Sequence, residues 1–173
     1  RSKKITKNNI KNSFPDISDK DTNELIKKMW KNYGRIFSEY MYIEKFRSKK
    51  LDEYLSISGL EILEKIKKDG KPVVFISGHF NNFELMAMQI ELSGIEVSAV
   101  YRPLNNLFLN RTMEKLRKNF ICKNQIKKGL GGVREIIKAF SQNKSVALMI
   151  DQRVSEGEKS FLFNKPTYTT TIP

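Results

Sequence analysis

His79, the only histidine of the chain, stands five residues before a carboxylate, Glu84, in the stretch "SGHFNNFELMAMQ". An imidazole titrates near neutrality, so it can take the proton of a hydroxyl as that hydroxyl attacks an acyl carbonyl. A carboxylate on its other ring nitrogen would fix tautomer and orientation. Two side chains five positions apart on one regular helix point in different directions. The H-x4-E pair can therefore meet only if His79 lies in a strand-to-helix turn and Glu84 on the first turn of that helix, with Gly78 letting the backbone bend. On spacing alone the structural role is the commoner one, since a lone histidine near a carboxylate is more often an ordinary hydrogen-bond partner than a catalyst.

Three more charged residues are candidates. Arg102 in "YRPLNN" and Arg117 in "EKLRKNF" could clamp a phosphate or stabilise oxyanion charge. A solvated basic helix face accounts for Lys115 and Lys118 well and for Arg102 poorly. Asp151 ends the apolar run "ALMID", where a carboxylate can serve function or simply pair with Arg153 or a nearby lysine. "KKGLGGVRE" has Arg134 in place of the last glycine of a dinucleotide fingerprint and no following GK[ST], so it reads as a plain loop and helix start. Ser77 lacks a G-x-S-x-G elbow, and nothing marks Cys122 as activated. One histidine, one cysteine and scattered acids make no zinc set, so neither a metal nor a cofactor is expected.

These residues must be positioned by the elements around them. "SDKD" at Ser18–Asp21 has the spacing of a capping box, and Ile26, Met29, Trp30, Tyr33, Ile36, Phe37, Tyr40 and Met41 recur at helical intervals, predicting a helix to about residue 46. Its aromatic face could rest on a membrane, but a core face is the expectation. "YLSIS" is a short candidate strand, followed by the helix "GLEILEKIKKDG" with Gly70 as C-cap. From residue 72 strands and helices alternate: "PVVFIS", "NNFELMAMQIELSG", "IEVSAVY", "LFLNRTMEKLRKNF", a short segment at "ICK", "GGVREIIKAFSQNK" and "SVALMID". The helix after His79 is apolar nearly all round, which fits burial and also a helix lining a lipid chain, with Met86 and Met88 able to adapt to a guest.

Alternation of this kind predicts an α/β fold with a mostly parallel central sheet flanked by helices and a helical N-terminal region. Residues 1–50 would form that region and 51–173 the α/β core, as one domain. In open parallel sheets ligands gather at the carboxyl ends of the strands. "SGHFNN", "YRPLNN" and "DQR" all fall at such ends.

A formal charge of +13 points to anionic partners: phosphates, acidic proteins or a membrane surface. AT-rich coding bias, visible in plentiful Lys, Asn and Ile, explains part of that charge. Lysine outnumbers arginine, which disfavours nucleic acid as the partner. No apolar run approaches the roughly 20 residues that span a bilayer. "RSKKITKNNIKNS" carries five basic groups and no acid, which suits an anionic membrane surface or a solvated end alike.

Taken together, the blocks resemble the lipid A biosynthesis late acyltransferases, the lauroyl/myristoyl acyltransferase family. "GHFNNFE" is similar to the family's GH-x-GNWE, with Asn81 where Gly is usual and Phe83 where Trp is usual; "YRPLNN" to YRP-x-x-N; "KLRKNF" to the block before R-x-x-x-G; "MIDQR" to the DQ motif; and "FLFNKPTYTTTIP" to FFG-[KR]-P-x-x-T-T-x-P, with Asn164 for Gly. "NNIKNSFPDISDK" resembles the N-x-x-x-x-FP start of the helical region.

The resemblance implies a glycerolipid-acyltransferase-like fold and transfer of a fatty acyl chain from acyl carrier protein to a hydroxyl of a lipid A precursor at the cytoplasmic face of the bacterial inner membrane. It implies that this chain is an internal piece, with the membrane anchor and a C-terminal portion lying beyond it. In that reading His79 is general base, Glu84 orients it, and Arg102, Arg117 and Asp151 bind substrate or the oxyanion. The competing expectations are an acyltransferase for a lysophospholipid, glycerophosphate or glycolipid, and a non-catalytic basic module on nucleic acid or anionic membrane.

Overall fold

Three runs rich in branched and apolar residues end at Ser77, Tyr101 and Met149, and with the more polar run that ends at Lys127 they become the strands of one sheet. A computed structural model describes residues 2–169. It contains β1 (Val74–Ser77), β2 (Val97–Tyr101), β3 (Asn124–Lys127) and β4 (Ser145–Met149) in the order β1-β4-β2-β3. Every neighbouring pair is parallel, with Ser77 opposite Met149, Val97 opposite Ser145 and Ser98 opposite Asn124. The carboxyl ends therefore lie along one edge, and β4 between β1 and β2 brings the segments after Ser77, Met149 and Tyr101 side by side. The Ile150 N–H donates to the Ser77 carbonyl at 3.0 Å, carrying the β1–β4 pairing up to that edge.

Helices lead into and connect the parallel strands: α4 (Leu60–Asp69) precedes β1, α5 (Glu84–Leu92) joins β1 to β2, α6 (Leu107–Leu116) joins β2 to β3, and α7 (Leu130–Ser141) joins β3 to β4, while Val74 and Ile76 leave one face of β1 exposed. Gly70 closes α4 in the left-handed region at φ 63°, where a side chain would be strained. N-terminal to them come α1 (Ser2–Ser13), α2 (Asp19–Glu39) and α3 (Ile43–Arg47). Ser18 caps α2 by accepting the Asp21 N–H at 3.0 Å. Ile43 and Phe46 of α3 share a buried cluster with Met88, Ile90, Val97 and Ile121. The helical region and the α/β layer thus have a common core.

After β4 the chain forms an antiparallel hairpin, β5 (Arg153–Leu162) and β6 (Lys165–Thr169), joined by Phe163 and Asn164. Both joining residues have positive φ, 50° and 59°, as a two-residue hairpin of matching twist requires. Thr170–Pro173, the end of the "FLFNKPTYTTTIP" block, lie outside the described residues, as do Arg1 of the basic N-terminal stretch and the side chain of Arg153 expected as a partner for Asp151.

Several expectations need correcting. "YLSIS" is not a strand: Asp52–Tyr54 form a 3-10 turn, and residues 55–59 after it belong to no strand. The helix expected through Phe120 keeps α-helical spacing only to Leu116, then widens into a π-turn over Arg117–Ile121. On α2 the core face is narrower than the apolar stripe. Thr22 and Ile26 are buried, whereas Trp30, Tyr33, Phe37 and Met41 are exposed, Phe37 and Met41 at 80% and 83%. At the start of α2, Lys7 and Lys11 of α1 pair with Asp19, and just after its end Tyr40 turns inward toward α5.

Candidate active site

The residues after β1 turn without helix until α5 begins at Glu84. This places His79 in the turn and Glu84 on the first helical turn, as the spacing required. Gly78 acts here by its lack of a side chain: a Cβ would lie 2.7 Å from the Phe80 ring and 3.2 Å from Asp151 Oδ2. A bare backbone therefore lets the Asp151 carboxylate come up against the turn. Asn81 has φ 45°, in the left-handed region that Gly enters freely and Asn more readily than other residues.

Asp151, two residues beyond β4, grips His79 twice. The His79 N–H donates to Oδ2 at 2.6 Å, and ring Nδ1 lies 2.7 Å from Oδ1. Because an ionised carboxylate can only accept, Nδ1 carries the proton and the neutral ring keeps Nε2 as a base. Partial burial pushes the Asp151 carboxyl up, but the His79 hydrogen bonds outweigh it and hold the group below its usual range. The Phe83 ring meets the imidazole edge-on, centroids 4.8 Å apart, and so stands where it can limit ring rotation.

Glu84 is not the partner of His79. It is buried, 5% exposed, and its Oε1 accepts from Arg117 Nε at 2.8 Å, Arg117 Nη2 at 2.6 Å and the Tyr40 hydroxyl at 2.7 Å. Burial acts against the charge of Arg117, but Glu84 beside it more than compensates and the guanidinium pKa is raised. Burial, reinforced by Glu84, pushes the Tyr40 phenol well above its usual range, so it stays a donor. Arg117 also lies 5.9 Å from the Tyr101 ring centroid. It opens the π-turn after α6, a wider turn of the kind often found at functional sites.

Among the sequence-predicted residues, His79, Arg102 and Arg117 line one cleft of about 120 Å³, together with Phe83, Tyr101 and Lys128. Asp151 stands behind the imidazole, on the Nδ1 side. Beneath the cleft lies a narrower apolar cavity between α5 and the sheet, lined by Phe75, Met86, Ala87, Ala99, Ala147 and Leu148. Met88, the other methionine expected to adapt to a guest, is instead fully buried in the core. Cys122 is also fully buried, and burial pushes its thiol up to about 11, which removes it as a nucleophile at neutral pH.

Sequence reasoning missed Tyr40 and Lys128. Tyr40 reads as one more apolar position of α2, and its partner lies 44 residues away. Lys128 is one lysine among many. The signal that did point to Asp151 was its place at a strand end, shared with His79 and Arg102.

A family model described as bacterial lipid A biosynthesis acyltransferase matches residues 1–173, the whole chain. No curated protein matches it.

Proposed function

Because the chain belongs to the bacterial lipid A biosynthesis acyltransferase family, an enzyme family, we propose that the His79 cleft is where an acyl group passes from an acyl carrier protein thioester to a hydroxyl of a lipid A precursor. The observation that carries this reading is the Asp151–His79 pair at the strand ends, with Arg117 and Arg102 in the same cleft.

In the proposed mechanism Asp151 keeps the proton on Nδ1, and Nε2 removes the acceptor hydroxyl proton as its oxygen attacks the thioester carbonyl. The new C–O bond leaves an oxyanion, which Arg117, held from behind by Glu84 and Tyr40, is placed to stabilise. Collapse breaks the C–S bond, and the imidazolium returns the proton to the departing thiolate. The fatty chain takes the apolar cavity between α5 and the sheet, where Met86 can adapt to it. Glu84 thus serves the reaction by positioning Arg117, in place of the orienting role that the H-x4-E spacing suggests.

An amphipathic lipid acceptor calls for a site at a membrane surface, and we place this one at the cytoplasmic face of the inner membrane. No described helix is long and apolar enough to cross a bilayer. The exposed stripe Trp30, Tyr33, Phe37 and Met41, with Lys27 and Lys31 further round α2, has the aromatic and basic make-up of an interfacial seat.

Incubating membranes that carry the protein with a labelled acyl carrier protein thioester, and separately with a lipid A precursor, a lysophospholipid and glycerol phosphate as acceptors, tests the reading. Label in the lipid A precursor is expected. Label in phosphatidate or phospholipid alone would assign the cleft to another acceptor.

A further inference from the structure

We propose that Lys128 and Arg102 form a subsite for a phosphate group carried by a substrate of the His79 cleft; this rests on the reading of that cleft as an acyl-transfer centre. Two consecutive lysines, Lys127 as the last residue of β3 and Lys128 just beyond it, differ in their surroundings. Lys127 is exposed and lies 3.7 Å from Glu114. Lys128 is half-buried, lines the cleft with Arg102 and His79, and has no carboxylate partner among the described residues. Arg102 also has none among them.

The placement of Lys128 is built into the backbone. Its N–H donates at 2.9 Å to the carbonyl of Tyr101, the residue before Arg102, so the two cations leave adjacent strand ends. Gly132 of α7 packs so closely on the end of β3 that a Cβ there would fall 2.1 Å from the Lys127 carbonyl oxygen. No residue with a side chain fits that contact, and the contact holds α7 and Lys128 against the cleft.

Three carboxylates bonded to residues of the cleft are already engaged, Glu114 by the Tyr101 hydroxyl and the Asn110 amide. Asp151 accepts from the His79 backbone and ring, and Glu84 from Arg117 and Tyr40. Half-burying an ammonium without a counter-ion is unfavourable, and an anion arriving with substrate relieves that cost. The reacting groups themselves, a thioester and a hydroxyl, are neutral, so the anion belongs to a remote part of a substrate. A forked guanidinium beside a point ammonium suits a phosphate, with its several oxygens and a charge between −1 for a diester and about −2 for a monoester. Two substrates can bring one: the phosphomonoester of a glucosamine-based acceptor, and the phosphodiester of the phosphopantetheine arm that carries the acyl chain.

Calorimetric titration of the purified protein with glucosamine 1-phosphate, glucosamine, 4′-phosphopantetheine and pantetheine tests the subsite and names its source. At least one phosphorylated probe is expected to bind wild type, about tenfold more weakly to Lys128→Gln and close to wild type to Lys128→Arg, while the two unphosphorylated probes do not compete. Whichever phosphorylated probe behaves so identifies the substrate that carries the phosphate. Equal affinity of both phosphorylated probes for wild type and Lys128→Gln, or binding of neither, overturns the proposal. Acyl transfer measured in parallel separates the two readings. Phosphate binding that depends on Lys128 in a protein that transfers no acyl chain would retain the subsite and remove the function; transfer with the same kcat/KM in Lys128→Gln would do the reverse.

Discussion

The His79 ring and the Asp151 carboxylate, 72 residues apart in the chain, are joined twice, through ring Nδ1 at 2.7 Å and through the backbone N–H at 2.6 Å. This contact stabilises the fold in a pH-dependent way. The carboxyl of Asp151 is depressed in the folded protein, so its contribution is fully present above the unfolded value of about 3.9 and is lost as pH falls through the lower folded value. Urea midpoints of wild type and Asp151→Asn should differ at pH 6–7, and the gap should narrow steadily below about pH 4. A gap independent of pH would mean that the carboxylate charge is not what His79 holds.

The Glu84–Arg117 pair predicts a different pattern. Glu84→Ala strands a buried guanidinium, at a cost of ~3–5 kcal/mol. Adding Arg117→Met to Glu84→Leu should restore most of the stability and none of the turnover, with strong non-additivity in the cycle. Additive losses would show that the two side chains act separately.

Tyr40 extends this positioning to the helical region. Tyr40→Phe keeps the ring and removes one hydrogen bond to a buried carboxylate, worth about 1.5–3 kcal/mol. Turnover should fall several-fold with little change in KM, because Arg117 is loosened while the substrate-lined walls of the cleft stay in place. Unchanged kcat would uncouple the turn after α2 from the site.

The two places where Asn stands for Gly in the motifs that this sequence resembles, Asn81 and Asn164, both have positive φ, 45° and 59°. These departures are accounted for by backbone conformation. Asn81→Gly and Asn164→Gly should each change stability by less than about 0.5 kcal/mol and leave the acceptor preference as it is, whereas Asn81→Val should cost about 1–2 kcal/mol. A new product pattern from either Gly variant would show that the amide contacts substrate.

The strand and helix alternation was legible because branched runs, Gly70 and Gly94 punctuate it, and parallel topology then put the polar clusters on one edge. What pattern could not supply was strand order. With β4 beside β1, Asp151 rather than Glu84 reaches His79, and H-x4-E spacing offers only the local partner. The strand β3, "NQIK", has a single strongly apolar residue, and the β5–β6 hairpin follows a surface pattern that resembles a loop. Helical periodicity records an apolar face without saying what covers it, so the stripe of α2 predicts a core face where the structure buries Ile26 and leaves Trp30, Tyr33 and Phe37 exposed.

The central claim is that His79, held by Asp151, is the base of an acyl transfer. Single-turnover transfer from an acyl carrier protein thioester to a lipid A precursor by wild type, His79→Ala and Asp151→Asn tests it most directly, with circular dichroism to verify folding. Both variants should fold and lose on the order of 10²–10⁴ in rate. Wild-type rates in either folded variant would contradict the account.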